Sequence, residues 1–264
     1  MPFVGAAILP HSPLLLPAIG REYTTQTKRT LKARAVAMTE IYALQPDSII
    51  VIHPHGQKTP GAMTVNLADK LQATFSEFGD MVTVADFKVD TRLAHEIKDQ
   101  AEDAGWPVAM THNPKLSYDA AIPLLDLPGA ATVPILPLST SDLDAPAHAN
   151  FGRVLADVLH ASSRRIAVVI SAELSQHASA AAPKGLRPEG EAFDAAIVKN
   201  LNKKPLMTRW LNVPGDVIEQ AEACGYLPLL MLSGLIAKSN CHVRKLSYEH
   251  PFGIGLLVAM IHPA

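Results

Sequence analysis

Apolar residues in this chain fall into two rhythms. Short unbroken runs, FVGAAIL at 3–9, SIIVI at 48–52 and RIAVVIS at 165–171, alternate with stretches in which apolar residues recur every three or four positions. An unbroken β-branched run is what a strand covered on both faces requires, whereas a three-to-four spacing lays one apolar stripe along a helix. Leu31, Ala35, Met38 and Tyr42 predict a helix over 27–44. Phe151, Val154, Leu155, Val158 and Leu159 predict another, which Pro146 suits at its start. Further helices are expected at 92–104, 191–201, 214–222 and 228–237. Weaker strands are expected at 81–84 and 133–138, and closing strands at 242–248 and 253–261.

Strand alternating with helix is the α/β pattern. No fixed-period repeat or long linker interrupts it, and the Ala- and Pro-containing stretch 178–190 reads as a loop. The expectation is an α/β fold, a single domain over 1–264, with a central mostly parallel or mixed sheet covered by helices on both faces.

Composition narrows the function classes. Among 264 residues, 23 are Lys or Arg and 25 are Asp or Glu, a formal net charge of −2. Without a basic excess, binding to nucleic acid or to an anionic membrane is not expected. The apolar opening, 1–20, holds Pro10, Pro13 and Pro17, and its first basic residue is Arg21, so neither a spanning helix nor a signal peptide is expected. Cys224 and Cys241 are the only cysteines, which excludes a disulfide scaffold and points to a reducing, cytoplasmic setting.

The three clearest strands run into polar loops. The first leads to His11, the second to His53 and His55, and the third to Glu173, Ser175, Gln176 and His177. Ligand sites of open α/β sheets lie beyond the carboxyl ends of their strands. If these strands are parallel neighbours, their imidazoles share one pocket, and imidazoles grouped with a carboxylate or thiolate suit iron, zinc or copper. The bland alternative is three hydrogen-bonded loop histidines. His53 and His55 share a face of an extended segment, and spacing leaves open whether both or one would ligate. Cys224 would sit just before a helix, where the dipole favours thiolate; the competing reading is a buried structural cysteine. His95, His148 and His160 lie on expected surface helices and read as solvated.

In sequence order, ILPHSPLLLPAIG, SIIVIHPHG, SYDAAIPLL, SAELSQH, EGEAFDAAIVKNL, EACGYLPLLMLSG and SYEHPFGIGLLVA resemble the class III extradiol ring-cleavage dioxygenase superfamily. That superfamily is typified by the catalytic subunit of protocatechuate 4,5-dioxygenase, and the likeness extends to its Memo-like branch.

The resemblance implies a metal site. It puts His11 and His55 at the two histidine ligands, and Cys224 or Ala223 at the carboxylate ligand with Glu222 close by. A cysteine at that place is shared with the Memo-like branch. It also implies that Gln176 replaces the catalytic histidine, with His177 displaced by one, that Tyr118 replaces a second active-site histidine, and that Glu173 matches a Memo-like acidic position.

Three functions follow from the resemblance. The first is a non-haem Fe(II)-dependent dioxygenase cleaving a catechol-like ring with O2, with Glu222 as third ligand and His177 as base. The second is a Memo-like protein holding copper, zinc or iron through His11, His55 and Cys224, with a redox or unknown role. The third is a binding homologue without catalysis. The resemblance further implies a homo-oligomer.

Overall fold

A computed structural model describes residues 2–264; Met1 of the apolar opening lies outside it. In chain order the elements are β1 (Phe3–Leu9), α1 (Pro17–Gly20), α2 (Lys28–Ala43), β2 (Ser48–His53), β3 (Met63–Asn66), β4 (Lys70–Phe75) and β5 (Asp80–Lys88). Then come α3 (Thr91–Asp103), β6 (Val108–Thr111), α4 (Tyr118–Ala121), β7 (Ile135–Ser139), α5 (Ala145–Ala161) and β8 (Ile166–Ser171). The chain closes with α6 (Pro188–Asn200), α7 (Leu206–Leu211), α8 (Gly215–Ala221), α9 (Tyr226–Leu235), β9 (Cys241–Glu249) and β10 (Leu256–Pro263).

Eight strands form one mixed sheet in the order β6-β3-β7-β2-β8-β1-β10-β9, and β4 and β5 pair separately as a hairpin. The three strands with unbroken apolar runs are its centre. β8 lies between β2 and β1 and is parallel to both. Every residue of the three is buried. Successive residues point to opposite faces. Ile8, Ile50 and Val168 pack under α3, α5, α6, α7 and α9, whereas Ala7, Val51 and Val169 pack under α2 and α4. Helices thus cover both faces, as the pattern required.

Differences from the sequence expectation follow from where apolar signal was thin. β3 and β6 are four residues each, shorter than the alternation that would reveal them. β5 runs 80–88, longer than expected, because Asp86 and Lys88 break the apolar signal of its second half. β10 starts at Leu256, after a turn through Gly253 at φ 73°. His148 is fully buried rather than solvated: its Nε2 accepts from Ser141 N at 3.1 Å, pinning the loop before α5.

The α9 helix packs closely against α5. A Cβ added at Gly234 would lie 1.9 Å from the Ala149 carbonyl oxygen, so only glycine permits this approach. The packing fixes α9, and with it the turn that carries Cys224. Among the described residues, no helix is long and apolar enough to cross a membrane.

Candidate metal centre

The parallel register sets the carboxyl ends of β1, β2 and β8 side by side. Leu9 aligns with Ser171, and Ile52 aligns with Ile170. Two residues beyond β1 is His11, two beyond β2 is His55, and two beyond β8 is Glu173. The strand-to-loop convergence read from sequence is therefore a consequence of topology.

One ligand atom each from His11, His55 and Cys224 lie within 4.8 Å of one another. Cys224 Sγ is 3.5 Å from His11 Nε2. The His11 and His55 rings meet edge to face, with centroids 5.2 Å apart. Bonds of about 2.0 Å to nitrogen and 2.3 Å to sulfur at a tetrahedral angle separate neighbouring donors by about 3.5 Å. The His11–Cys224 separation matches that spacing, and two imidazoles with a thiol are a donor set suited to one cation.

Hydrogen bonds decide which His11 nitrogen is available. Ser171 has one hydroxyl proton, and it donates to the Asp119 carbonyl at 2.6 Å. Ser171 Oγ must therefore accept from His11 Nδ1, 2.8 Å away. The proton sits on Nδ1, and the Nε2 lone pair faces Cys224. Burial, reinforced by His55 and His53 against the attraction of Asp119, lowers the His11 pKa to about 3. A neutral ring with a fixed tautomer is the form that ligates. His55 reaches the surface, and burial lowers its pKa too.

Asp119 organises the opposite wall. Its Oδ2 accepts from the His55 backbone N–H at 2.7 Å and pairs with His53 Nδ1 at 3.1 Å. Burial works against its charge, but His53 and hydrogen bonds prevail and hold the carboxyl far below its ordinary range. His53 is consequently a support rather than a donor: its Nε2 lies 3.2 Å from Ser139 Oγ. Sequence reading passed over Asp119 and Ser171. The signal available was their place, beside Tyr118 and at the last residue of β8.

Cys224 departs from expectation in charge. It does precede α9, but burial, aided by the Glu173 carboxylate, pushes its thiol well up and outweighs the helix dipole. A cation replacing the thiol proton reverses that balance. Gly225 lets the turn close, since a Cβ there would lie 2.4 Å from the Glu173 carbonyl. That carbonyl accepts from Gly225 N at 2.9 Å.

Glu222, two residues away, is turned out of the cluster. It caps α8 at φ 49°, and its carboxylate takes Lys184 at 2.5 Å and Arg187 at 3.0 Å. Lys184 first, with Arg187 and His177 after it, lowers its pKa to about 2. His177 is not beside the three donors either. Its Nδ1 lies 2.8 Å from the Gly185 carbonyl, and its Nε2 faces Glu222 at 3.4 Å. Glu222, expected as third ligand, and His177, expected as base, are thus held away from the three donors: Glu222 by ion pairs to Lys184 and Arg187 of the 178–187 loop, His177 by the Gly185 carbonyl and Glu222.

Glu173 lies beside the cluster, its backbone carbonyl 3.9 Å from Cys224 Sγ. It is buried, with Oε1 unpartnered and Oε2 accepting from Gln176 Nε2 at 3.3 Å. Burial pushes its carboxyl up to about 7. Tyr118 stacks near His55, with centroids 5.8 Å apart and planes at 19°. Burial and nearby carboxylates raise its phenol pKa, so it stays protonated. Two hollows share His55 as a wall. One, of about 520 Å³, passes Tyr118 and Ser117 to Lys115; the other, of about 450 Å³, passes Cys224 and Leu227 to Lys58.

The sequence model of one family, the "Catalytic LigB subunit of aromatic ring-opening dioxygenase", matches residues 5–259. A curated relative, protein CA_C1420 of Clostridium acetobutylicum, is 24% identical over a 264-residue alignment covering 95% of this chain and 56% of that protein. The chain thus spans little more than half the length of that relative. A solved structure, an uncharacterized protein JW3007 from Escherichia coli K12, superposes with a TM-score of 0.68 at 17% identity, over 97% of this chain and 99% of that one. At that identity the likeness is one of fold.

Proposed function

We propose, for a chain that belongs to the family of the catalytic LigB subunit of aromatic ring-opening dioxygenases, that it is a metal-dependent oxidoreductase of the extradiol type. In this reading His11, His55 and Cys224 hold one cation, and a small catechol-like ring is oxidised with dioxygen. The observation that carries the reading is the meeting of the three donor atoms within 4.8 Å.

When bound, the cation supplies Lewis acidity toward a phenolic substrate and one-electron chemistry toward dioxygen. The chain's residues do the rest. Ser171 keeps the His11 Nε2 lone pair aimed inward. Tyr118, holding its proton, offers a hydrogen bond beside His55. Glu173 takes up and returns the substrate's phenolic proton at a buried oxygen, and a carboxyl near 7 is matched to that exchange at neutral pH. Gln176 cannot serve as a base; its amide donates to Glu173 and positions it. The hollow of about 520 Å³ beside His55 and Tyr118 has room for a single ring. Both oxygen atoms of dioxygen enter the product in such a cleavage, so no external reductant is needed.

A second reading is favoured by the third donor. A thiol stands where a carboxylate would define a ferrous site, and the Glu222 carboxylate is engaged elsewhere. Thiolate softens a site toward zinc or copper. On that reading the protein is a Memo-like metal binder without ring cleavage.

The test is metal content after purification, followed by anaerobic loading with Fe(II) and exposure to oxygen with a panel of catechols. Oxygen uptake with a yellow ring-opened product is expected. A metal-loaded protein silent across the panel would leave the Memo-like reading. A protein that takes no stoichiometric metal would overturn both.

A further inference from the structure

The geometry points to a second ligand site, remote from the metal centre, that takes an organic anion with an extended apolar body, such as a medium-chain carboxylate. The α9 helix spans the two places. Its first residue, Tyr226, is next but one to Cys224, and its other end, Ser233 to Ile236, walls a separate cavity of about 500 Å³. Ten residues of helix separate them by about 15 Å. The volume lies within the range of about 300–1,000 Å³ of small-molecule sites.

The cavity is amphipathic in an ordered way. Its inner surface is apolar, built from Leu201, Leu206, Met207, Ile236 and Val243. Its rim is basic, carrying Arg153, Lys203, Lys204 and His242. Among the described residues, no carboxylate lines it. The partners of Lys204 and Arg153 are neutral oxygens. Lys204 Nζ donates to the Ser239 carbonyl and to Asn240 Oδ1, at 3.4 and 3.3 Å, and Arg153 Nη1 donates to Asn150 Oδ1 at 3.2 Å. Asp157, one turn after Arg153, is engaged by Lys238 at 3.8 Å and does not line the cavity.

Clustered like charges on a protein of net charge −2 raise the local potential without internal compensation. An anion at the rim supplies that compensation, and an apolar tail fills the interior. A neutral apolar ligand would gain only the second contribution. An inorganic anion would gain only the first, which salt screens. The chemistry selected is therefore a carboxylate joined to a chain.

The experiment is calorimetric titration of the full chain with octanoate and, in parallel, with 1-octanol. Octanoate is expected to bind one per chain, at least tenfold tighter than 1-octanol, and more weakly as salt rises. The exposed double substitution Lys203→Glu/Lys204→Glu is expected to weaken octanoate at least tenfold, with metal stoichiometry and Tm unchanged. Met207→Trp, which fills the cavity, should weaken both ligands. No octanoate binding up to millimolar concentration, equal affinity for the alcohol, or indifference to the lysine reversals would overturn the proposal. None of these outcomes depends on the metal centre, whose own test is metal content.

Discussion

His11, His55 and Cys224 converge in the candidate site, whereas Glu222 and His177 are held away from it, yet the sequence offered all five as site residues. The first group is placed by backbone that cannot move independently: two buried parallel strands and a turn locked between Glu173 and α9. The second group is placed by side-chain contacts: Glu222 by ion pairs to Lys184 and Arg187, His177 by the Gly185 carbonyl and by Glu222. Glu222 and Cys224 are two residues apart, but the left-handed turn at Glu222 sends its carboxylate away. Closeness in sequence to a ligand thus says little about where a side chain arrives when a helix ends in between.

The sharpest way to break this contrast is to exchange the two groups' predicted effects. His11→Ala or Cys224→Ala should weaken zinc binding by more than about 100-fold, measured by competition with a chelator, because each removes one of three donors. Glu222→Gln should leave the affinity within about threefold, being a surface ion-pair partner. Loss of zinc in Glu222→Gln, with Cys224→Ala unaffected, would reverse the assignment and restore a carboxylate centre.

Support for the first group is measurable next. Ser171→Ala removes the acceptor that fixes the His11 proton on Nδ1. Loss of such an orienting partner costs roughly 10–100-fold in metal affinity. The expected effect is therefore smaller than that of removing a donor. An unchanged affinity would mean that packing alone orients the ring.

These effects also mark what could be read from the chain. The central strands were legible because burial on both faces leaves short unbroken apolar runs rich in β-branched residues. Their parallel adjacency through β8 delivers His11 and His55 to one place. Cys224 was legible as a residue but not in its charge, since the burial that outweighs the helix dipole, and the Glu173 charge that adds to it from about fifty residues away, are set by tertiary structure. The division of labour between His53 and His55 was not legible at all. It is set by Asp119 and Ser139, which reach His53 from α4 and β7. The fate of His177 was hidden for the same reason: its partners are a loop carbonyl and a carboxylate brought in by tertiary structure.

A titration sharpens the comparison from the loop side. Asp194 is buried, accepts from Ser175 N at 2.8 Å and from the Tyr248 hydroxyl at 2.6 Å, and so anchors the segment between Glu173 and His177. Burial outweighs these hydrogen bonds and pushes its carboxyl from 3.8 up to about 7. A folded-state pKa above the unfolded one means that protonation favours folding. Its stabilising contribution is full below about pH 4 and is lost as pH rises toward 7. Asp194→Asn keeps the shape without the ionisation. The mutant's Tm should therefore fall less than the parent's between pH 4 and 7, by a few degrees. Parallel Tm curves would show that Asp194 does not titrate in this window.

The smallest effect expected is at Glu222 itself, and it tests whether the second group has a structural task. Glu222 holds both Lys184 and Arg187, so it straps the 178–187 loop to the end of α8. Exposed ion pairs contribute little, and opening of a loop tracks the free energy that closes it. Glu222→Gln should therefore speed tryptic cleavage after Lys184 only roughly twofold to fivefold, while cutting elsewhere is unchanged. A carboxylate held near 2 by these partners keeps its charge, and the strap, throughout the pH range in which trypsin cuts, so the parent's cleavage rate after Lys184 should not rise on mild acidification relative to other sites. Faster cleavage in the mutant with intact zinc binding would separate the strap from the metal centre. Cleavage and zinc affinity changing together would join them, and the contrast between the two groups would be lost.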